Sequence, residues 1–256
     1  MTRLGLIGHR LSHSFSGRYF ADKFARESLT DQYEYMLFEL AEISQVVQLV
    51  HEQRNLAGFN VTIPYKESVL PFLDETDPVA LQIGAVNTVV VIRSQTSDKR
   101  INLKGYNTDA PGFEAALKPL LHPHSNKALV LGTGGASKAV SFVLDQLQIG
   151  YLKVSRHPAG AQTIGYGAIN ESIMDQYGII INTTPIGTYP DIKAAPPLPY
   201  HLVTSGHILF DLVYNPAETE FLRLGKLHGA TVKNGYDMLV RQAELSWKTW
   251  TAQAAL

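Results

Sequence analysis

A chain of 256 residues with 22 basic and 23 acidic residues carries a formal charge of −1 at pH 7, a balance that favours neither a nucleic acid nor a membrane surface as partner. It has no cysteine, which excludes disulfides, thiolate metal sites and a cysteine nucleophile. An apolar content of 45% is ordinary for a globular protein, and no apolar run reaches membrane-spanning length. A cytoplasmic protein of one large domain or two modest ones is therefore expected.

The chain enters a strand-like run at residues 4–7, which leaves no room for a signal peptide. Helical patterns at 16–27 and 42–54 then alternate with strand-like runs at 35–38 and 58–63. In Gly58-Phe59-Asn60-Val61-Thr62-Ile63-Pro64-Tyr65-Lys66, the residues Asn60, Thr62, Pro64 and Lys66 alternate with Val61, Ile63 and Tyr65. This period of two predicts a strand with one polar and one apolar face, ended by Pro64, which lacks a backbone donor. An amide, a hydroxyl and an amine in a row at a strand end suit a hydroxylated ligand, and Lys66 can supply or accept a proton there. Taken alone, the same pattern describes an exposed edge strand with a solvated lysine.

Further strand-like runs follow at 85–92 and 100–103. Asp109 lies between the latter and an apolar-periodic helix marked by Phe113, Ala116, Leu117 and Leu120, so it is expected to cap that helix. After Lys118-Pro119 a loop at 122–126 opens a second series of strands at 128–131, 151–154, 179–182 and 208–212. Its histidine pair, His122 and His124, has no carboxylate partner, and no metal site is expected. The alternation of strands and helices predicts an α/β protein with parallel sheets, whose ligands sit beyond the carboxyl ends of the strands.

The turn Gly132-Thr133-Gly134-Gly135-Ala136-Ser137-Lys138 follows the strand at 128–131 and opens a helix at 137–147. Gly132, Gly134, Gly135 and Ala136 offer the tight turn and close backbone approach of a dinucleotide site, with Ser137 in the third glycine position. An NAD-binding unit would carry a carboxylate at the end of the next strand to hold the ribose. Here that strand ends in Ser155-Arg156-His157, and Arg156 offers a planar cation to an adenosine 2′-phosphate, which predicts NADP over NAD. The stretch 194–199 reads as an extended loop, and a helix at 238–250 closes the chain.

Together these segments resemble the shikimate dehydrogenase family nearly end to end. The resemblance is carried by His13-Ser14-Phe15-Ser16, G-F-N-V-T-I-P-Y-K (58–66), G-A-V-N-T (84–88), G-Y-N-T-D (105–109) and G-T-G-G-A-S-K (132–138). It continues through N-T-T-P-I-G (182–187), D-L-V-Y-N-P (211–216) and N-G-Y-D-M-L-V-R-Q-A (234–243). The resemblance implies two domains. One is an N-terminal α/β substrate domain over 1–109, completed by a C-terminal helix at 236–256. The other is an inserted Rossmann-like NADP-binding domain over 110–235. It also implies the reversible NADPH-dependent reduction of 3-dehydroshikimate to shikimate, a step of aromatic amino acid biosynthesis.

By the same resemblance Ser14 and Ser16 bind the substrate carboxylate, while Asn60, Thr62, Asn87 and Gln242 contact ring hydroxyls. Lys66 and Asp109 are the catalytic pair: an ammonium aimed at the ketone oxygen stabilises the developing alkoxide, and the aspartate orients it. Thr183 lies against the nucleotide, Tyr214 meets substrate at the nicotinamide end, and Gly235 lies at that end too. His13 would orient the serine loop, and Ser12 is not one of the matching pair. Family members that use NADP typically carry Asn-Arg-Thr where this chain has Ser155-Arg156-His157, and many carry methionine where it has Thr188. The partner is then a small molecule, with no nucleic acid and no membrane, and the protein a monomer or homodimer. The rivals are a quinate/shikimate dehydrogenase using NAD, a binding protein without turnover, and a reductase of an unrelated alcohol.

Overall fold

The computed structural model describes residues 1–11, 14–94, 100–123 and 126–254; Ser12, His13 and His124 lie outside the described residues. The chain divides into two compact units, one of residues 1–108 and 243–256, the other of residues 109–242. The division falls inside the last helix, whereas the family resemblance implies a return at 235/236.

In the first unit the elements run β1 (Thr2–Gly8), α1 (Phe15–Arg26), β2 (Tyr33–Glu39), α2 (Gln45–Glu52), β3 (Leu56–Val61), β4 (Glu75–Thr76), α3 (Pro78–Ile83), β5 (Thr88–Arg93) and β6 (Ile101–Tyr106). They form one six-stranded sheet in the order β2-β1-β3-β5-β6-β4. β1 pairs in parallel with β2 and β3, but β5 runs antiparallel to both β3 and β6. The all-parallel sheet expected here is thus a mixed one. The connection from β5 to β6 is too short for a crossover helix, so the second strand must return alongside the first.

β3 departs further from its predicted form. It is central and buried on both faces, and it ends at Val61, before Pro64. Ile63, expected on the apolar face, is 66% exposed, while Asn60 of the polar face is buried. Phe59 and Val61 join a core with Ile7, Val46, Leu49 and Val89. On the other face a Cβ at Gly58 would overlap the ring of Trp250, which donates from Nε1 to the Val89 carbonyl at 3.0 Å. Phe20, Phe24 and Ala243 complete that second core.

The second unit runs α4 (Asp109–Leu117), β7 (Lys127–Leu131), α5 (Gly135–Gln146), β8 (Gly150–Val154), β9 (Thr163–Ile164), α6 (Glu171–Gln176), β10 (Ile179–Asn182), β11 (Ile208–Asp211), α7 (Glu220–Leu227), β12 (Thr231–Lys233) and the start of α8 (Tyr236–Ala254). Its sheet order is β12-β11-β10-β7-β8-β9, with every neighbour parallel. Counted within the unit this is 3-2-1-4-5-6 read from the other edge, the doubly wound dinucleotide-binding order, with its reversal between β7 and β10. The central strands β7, β10 and β11 are mainly apolar, as in a sheet covered on both faces: Leu129, Leu131, Ile180 and Leu209 are fully buried.

Candidate functional site

In the first unit the polar residues gather where β1, β3 and β6 end and the antiparallel β5 begins. Ser14 occupies the N-cap of α1 without a side-chain capping bond, and Ser16 lies in the first turn. That first turn carries no acidic residue, which leaves the helix N-terminus suited to an anion. Glu39 braces the approach to it by accepting the Leu11 amide at 2.6 Å.

Ser16 also bonds the Tyr35 hydroxyl. Burial raises the pKa of this phenol, so it remains a donor, and it donates to Asn60 Oδ1 at 2.8 Å. Asn60 Nδ2 faces the Asn87 carbonyl, Thr88 Oγ1 and Ser246 Oγ at 3.1, 3.1 and 2.9 Å. Asn87 in turn donates from Nδ2 to Thr108 Oγ1 at 2.9 Å and accepts the Thr108 amide at 2.7 Å. Ser246 lies within 2.7 Å of Thr88 Oγ1 and 3.1 Å of Thr108 Oγ1.

One connected network therefore holds Ser16, Asn60 and Asn87, three of the residues assigned to substrate. Tyr35 and Ser246 are the members that sequence reasoning missed. Ser246 is fully buried on the polar side of an otherwise aromatic helix face, and that contrast was its only signal. Both amide protons of Asn60 are committed to protein acceptors, which leaves its carbonyl the atom better placed to take a further donor. Thr62 and Lys66 follow β3 and are half-buried, and the Lys66 carbonyl accepts the Val86 amide at 2.7 Å.

Asp109 belongs to the second unit. It is the first residue of α4 and buried, so the position before the helix is Thr108 and the expected cap shifts by one residue. Gln242, also buried, donates to the Leu239 carbonyl of its own helix at 2.9 Å. A Cβ at Gly112 would come within 3.0 Å of the Met238 carbonyl, so α4 packs tightly on the start of α8.

The cofactor candidates line the carboxyl edge of the second sheet. Gly132 has a φ of +109°, and a Cβ there would lie 2.7 Å from Thr183 Oγ1, so only glycine fits. Gly134 caps α5, which starts at Gly135 and not at Ser137, and a Cβ on Gly134 would meet nothing within 4 Å. Its backbone faces open space at a helix N-terminus with no acid in the first turn, a cradle that fits a pyrophosphate. Ser137 is fully buried, taking the close-packing place of the third glycine, and Ala136 is half-buried beside it.

At the end of β8, Ser155 Oγ accepts the His157 amide at 3.2 Å and closes a tight turn that leaves Arg156 exposed. The guanidinium lies within electrostatic reach of Tyr166, whose pKa is raised by burial and lowered by Arg156. Tyr166 was not anticipated from the sequence. Thr183 donates from Oγ1 to the Leu131 carbonyl at 2.7 Å, which ties the β10 turn to the β7 turn. Gly235 donates to the Val213 carbonyl at 3.1 Å, and a Cβ on it would overlap the Leu212 carbonyl. Tyr214, half-buried, stands on that same turn.

A model of the shikimate dehydrogenase substrate-binding domain matches residues 6–89. Nearly the whole chain is similar to the shikimate dehydrogenase (NADP(+)) of Methanococcus maripaludis strain C6, at 37% identity over 98% of this chain and 91% of that protein. The shikimate dehydrogenase (NADP(+)) of Carboxydothermus hydrogenoformans is 38% identical over 96% of this chain and 90% of its own. Among solved structures, shikimate 5-dehydrogenase from Thermus thermophilus, in complex with NADP(H) and shikimate, matches with a TM-score of 0.81. Its identity is 35%, over 98% of this chain and 94% of that one.

Proposed function

The chain belongs to the shikimate dehydrogenase family, and on that premise we propose that it catalyses the reversible NADPH-dependent reduction of 3-dehydroshikimate to shikimate. It is an NADP-dependent oxidoreductase acting on a CH–OH group. The observation that carries this reading is the glycine turn and bare α5 N-terminus at the reversal of strand order in the second sheet, with Arg156 in place of a ribose-binding carboxylate on the next strand.

Residues 1–109 with 236–256 form the substrate-binding catalytic domain and residues 110–235 the NADP-binding domain. Ser14 and Ser16 take the substrate carboxylate at the N-terminus of α1. Asn60, Thr62, Asn87, Tyr214 and Gln242 contact the rest of the substrate. Gly132, Gly134, Gly135 and Ala136 hold the pyrophosphate, Ser155 and Arg156 the 2′-phosphate, and Thr183 and Gly235 the remainder of the cofactor.

NADPH, when bound, supplies the hydride. The chain's own task is to manage the charge that appears on the ketone oxygen. Lys66 stabilises that oxygen and gives it a proton, and Asp109 fixes the orientation of the lysine. The same reading places the protein in the cytoplasm as a monomer or homodimer; no helix among the described residues is long and apolar enough to cross a membrane. Incubation of 3-dehydroshikimate with NADPH, with the product identified by NMR, tests the assignment. Shikimate is the expected product, and recovery of unchanged ketone would refute it.

A further inference from the structure

We propose that Asp211 is the positioning residue of the cofactor site: its ionised carboxylate locks together the turns after β10, β11 and β12, and NADP binding depends on that lock. The inference rests on the cofactor reading above and gives a role to Asp211, which entered the sequence argument only as the first residue of the motif at 211–216.

Asp211 ends β11 and is fully buried, as are Asn182 and Thr219 around it. Its Oδ1 accepts Asn182 Nδ2 at 2.9 Å and the Val213 amide at 3.0 Å, and its Oδ2 accepts Thr219 Oγ1 at 2.6 Å. Each partner passes the constraint outward. Asn182 Oδ1 accepts both the amide and the hydroxyl of Thr184, at 3.0 and 2.6 Å, and so shapes the turn that begins with Thr183. The Val213 carbonyl accepts the Gly235 amide, which draws in the turn after β12. Thr219 caps α7 through the Leu222 amide. One carboxylate thus sits at the centre of the carboxyl edge on which Thr183, Tyr214 and Gly235 stand.

Every described partner of this carboxylate is a neutral donor, an arrangement that only the ionised form satisfies in full. A proton on Oδ2 would force the Thr219 hydroxyl to turn and accept, and would weaken the grip on Asn182 and Val213. Burial pushes the carboxyl up to about 6, against the pull of its bonds to Thr219, Val213 and Asn182, so the lock is closed at neutral pH and opens in mild acid. Tyr200, the titratable group that senses the Asp211 charge, is kept protonated by burial and does not compete for that role.

The test is fluorescence titration of NADPH on the wild-type protein and on Asp211→Asn and Thr184→Val, from pH 5.5 to 8, with thermal melts in the same buffers. Asp211→Asn keeps the shape but places a donor against Thr219; Thr184→Val removes the shorter of the two bonds to Asn182 Oδ1 at the relay's half-buried outer end and leaves the backbone amide bond in place. Both should weaken NADPH about tenfold or more at pH 7.5, with a smaller loss in the thermal shift given by shikimate, because Tyr214 stands on the same edge while Ser14, Ser16, Asn60, Thr62 and Asn87 do not. Below about pH 6 wild-type affinity should fall toward that of Asp211→Asn. The 2′-phosphate of the ligand titrates in both proteins, so the difference between their profiles isolates Asp211. Wild-type NADPH affinity in both variants would overturn the proposal. If Asp211→Asn does not fold, Thr184→Val decides alone: weakened binding supports the lock and unchanged binding refutes it. Absence of NADPH binding by the wild type would instead refute the cofactor reading and the proposal with it.

Discussion

Lys66 carries the chemistry proposed for this chain, so its loss should act on turnover more than on binding. Lys66→Ala is expected to lower kcat by about 100-fold or more, with a smaller change in the KM for shikimate, as steady-state kinetics would report. A mutant with near-wild-type turnover would remove the lysine from the mechanism. On the proposed reading Arg156 acts on the cofactor alone, so Arg156→Ala should raise the KM for NADP⁺ and leave that for shikimate in place. Equal loss for both ligands would point to misfolding. The residues of both predictions were legible in the sequence because each stands on a strand-end turn with its own chemical signature. Tyr35, Ser246 and the role of Asp211 were not. What marks them is burial beside particular polar partners, as in the approach of Ser246 to Asn60 and Thr88, and neighbours distant in sequence create that burial.

At the scale of elements, Gly58 governs how α8 lies on the first sheet. A Cβ there would overlap the Trp250 ring and come within 2.8 Å of the Val89 carbonyl, so a backbone atom as well as a side chain would have to give way. Gly58→Ala should destabilise the protein by about 1–3 kcal/mol, read as a lower Tm, even though alanine suits a strand better than glycine does. An unchanged Tm would mean that α8 does not pack there. Strand positions were largely legible from apolar runs bounded by turn residues, and β7, β10 and β11 lie within or at the expected segments. The direction of β5 was not, because pairing is set by the connection and the strand's own residues do not encode it. β9 and β12, of two and three residues, are too short to show any period. The two-faced pattern of residues 58–66 misled for a tertiary reason: helices cover both sides of β3, so a buried amide was met by polar partners on the helix-covered side.

At the scale of the whole molecule, pH should couple stability to the cofactor site. The Asp211 carboxyl is raised to about 6 in the folded chain, above the ~3.9 of an unfolded aspartate. Its contribution to stability is therefore fully present below about pH 4 and is lost as pH rises through about 6. Relative to Asp211→Asn, the wild type should lose roughly 3 kcal/mol between about pH 4 and pH 7, visible as a pH-dependent difference in Tm. A flat difference would mean that the carboxyl is not perturbed. The charge that would organise the cofactor edge is thus held at a cost to the fold, a common trade at functional sites.

Oxidation of shikimate with NADP⁺ is the activity on which all of this rests. Absorbance at 340 nm, followed with purified protein, shikimate, and NADP⁺ or NAD⁺ in parallel, tests it most directly. Rapid NADPH formation with little NADH is the predicted result. No signal with either cofactor would contradict the account, and a preference for NAD⁺ would contradict its reading of Arg156.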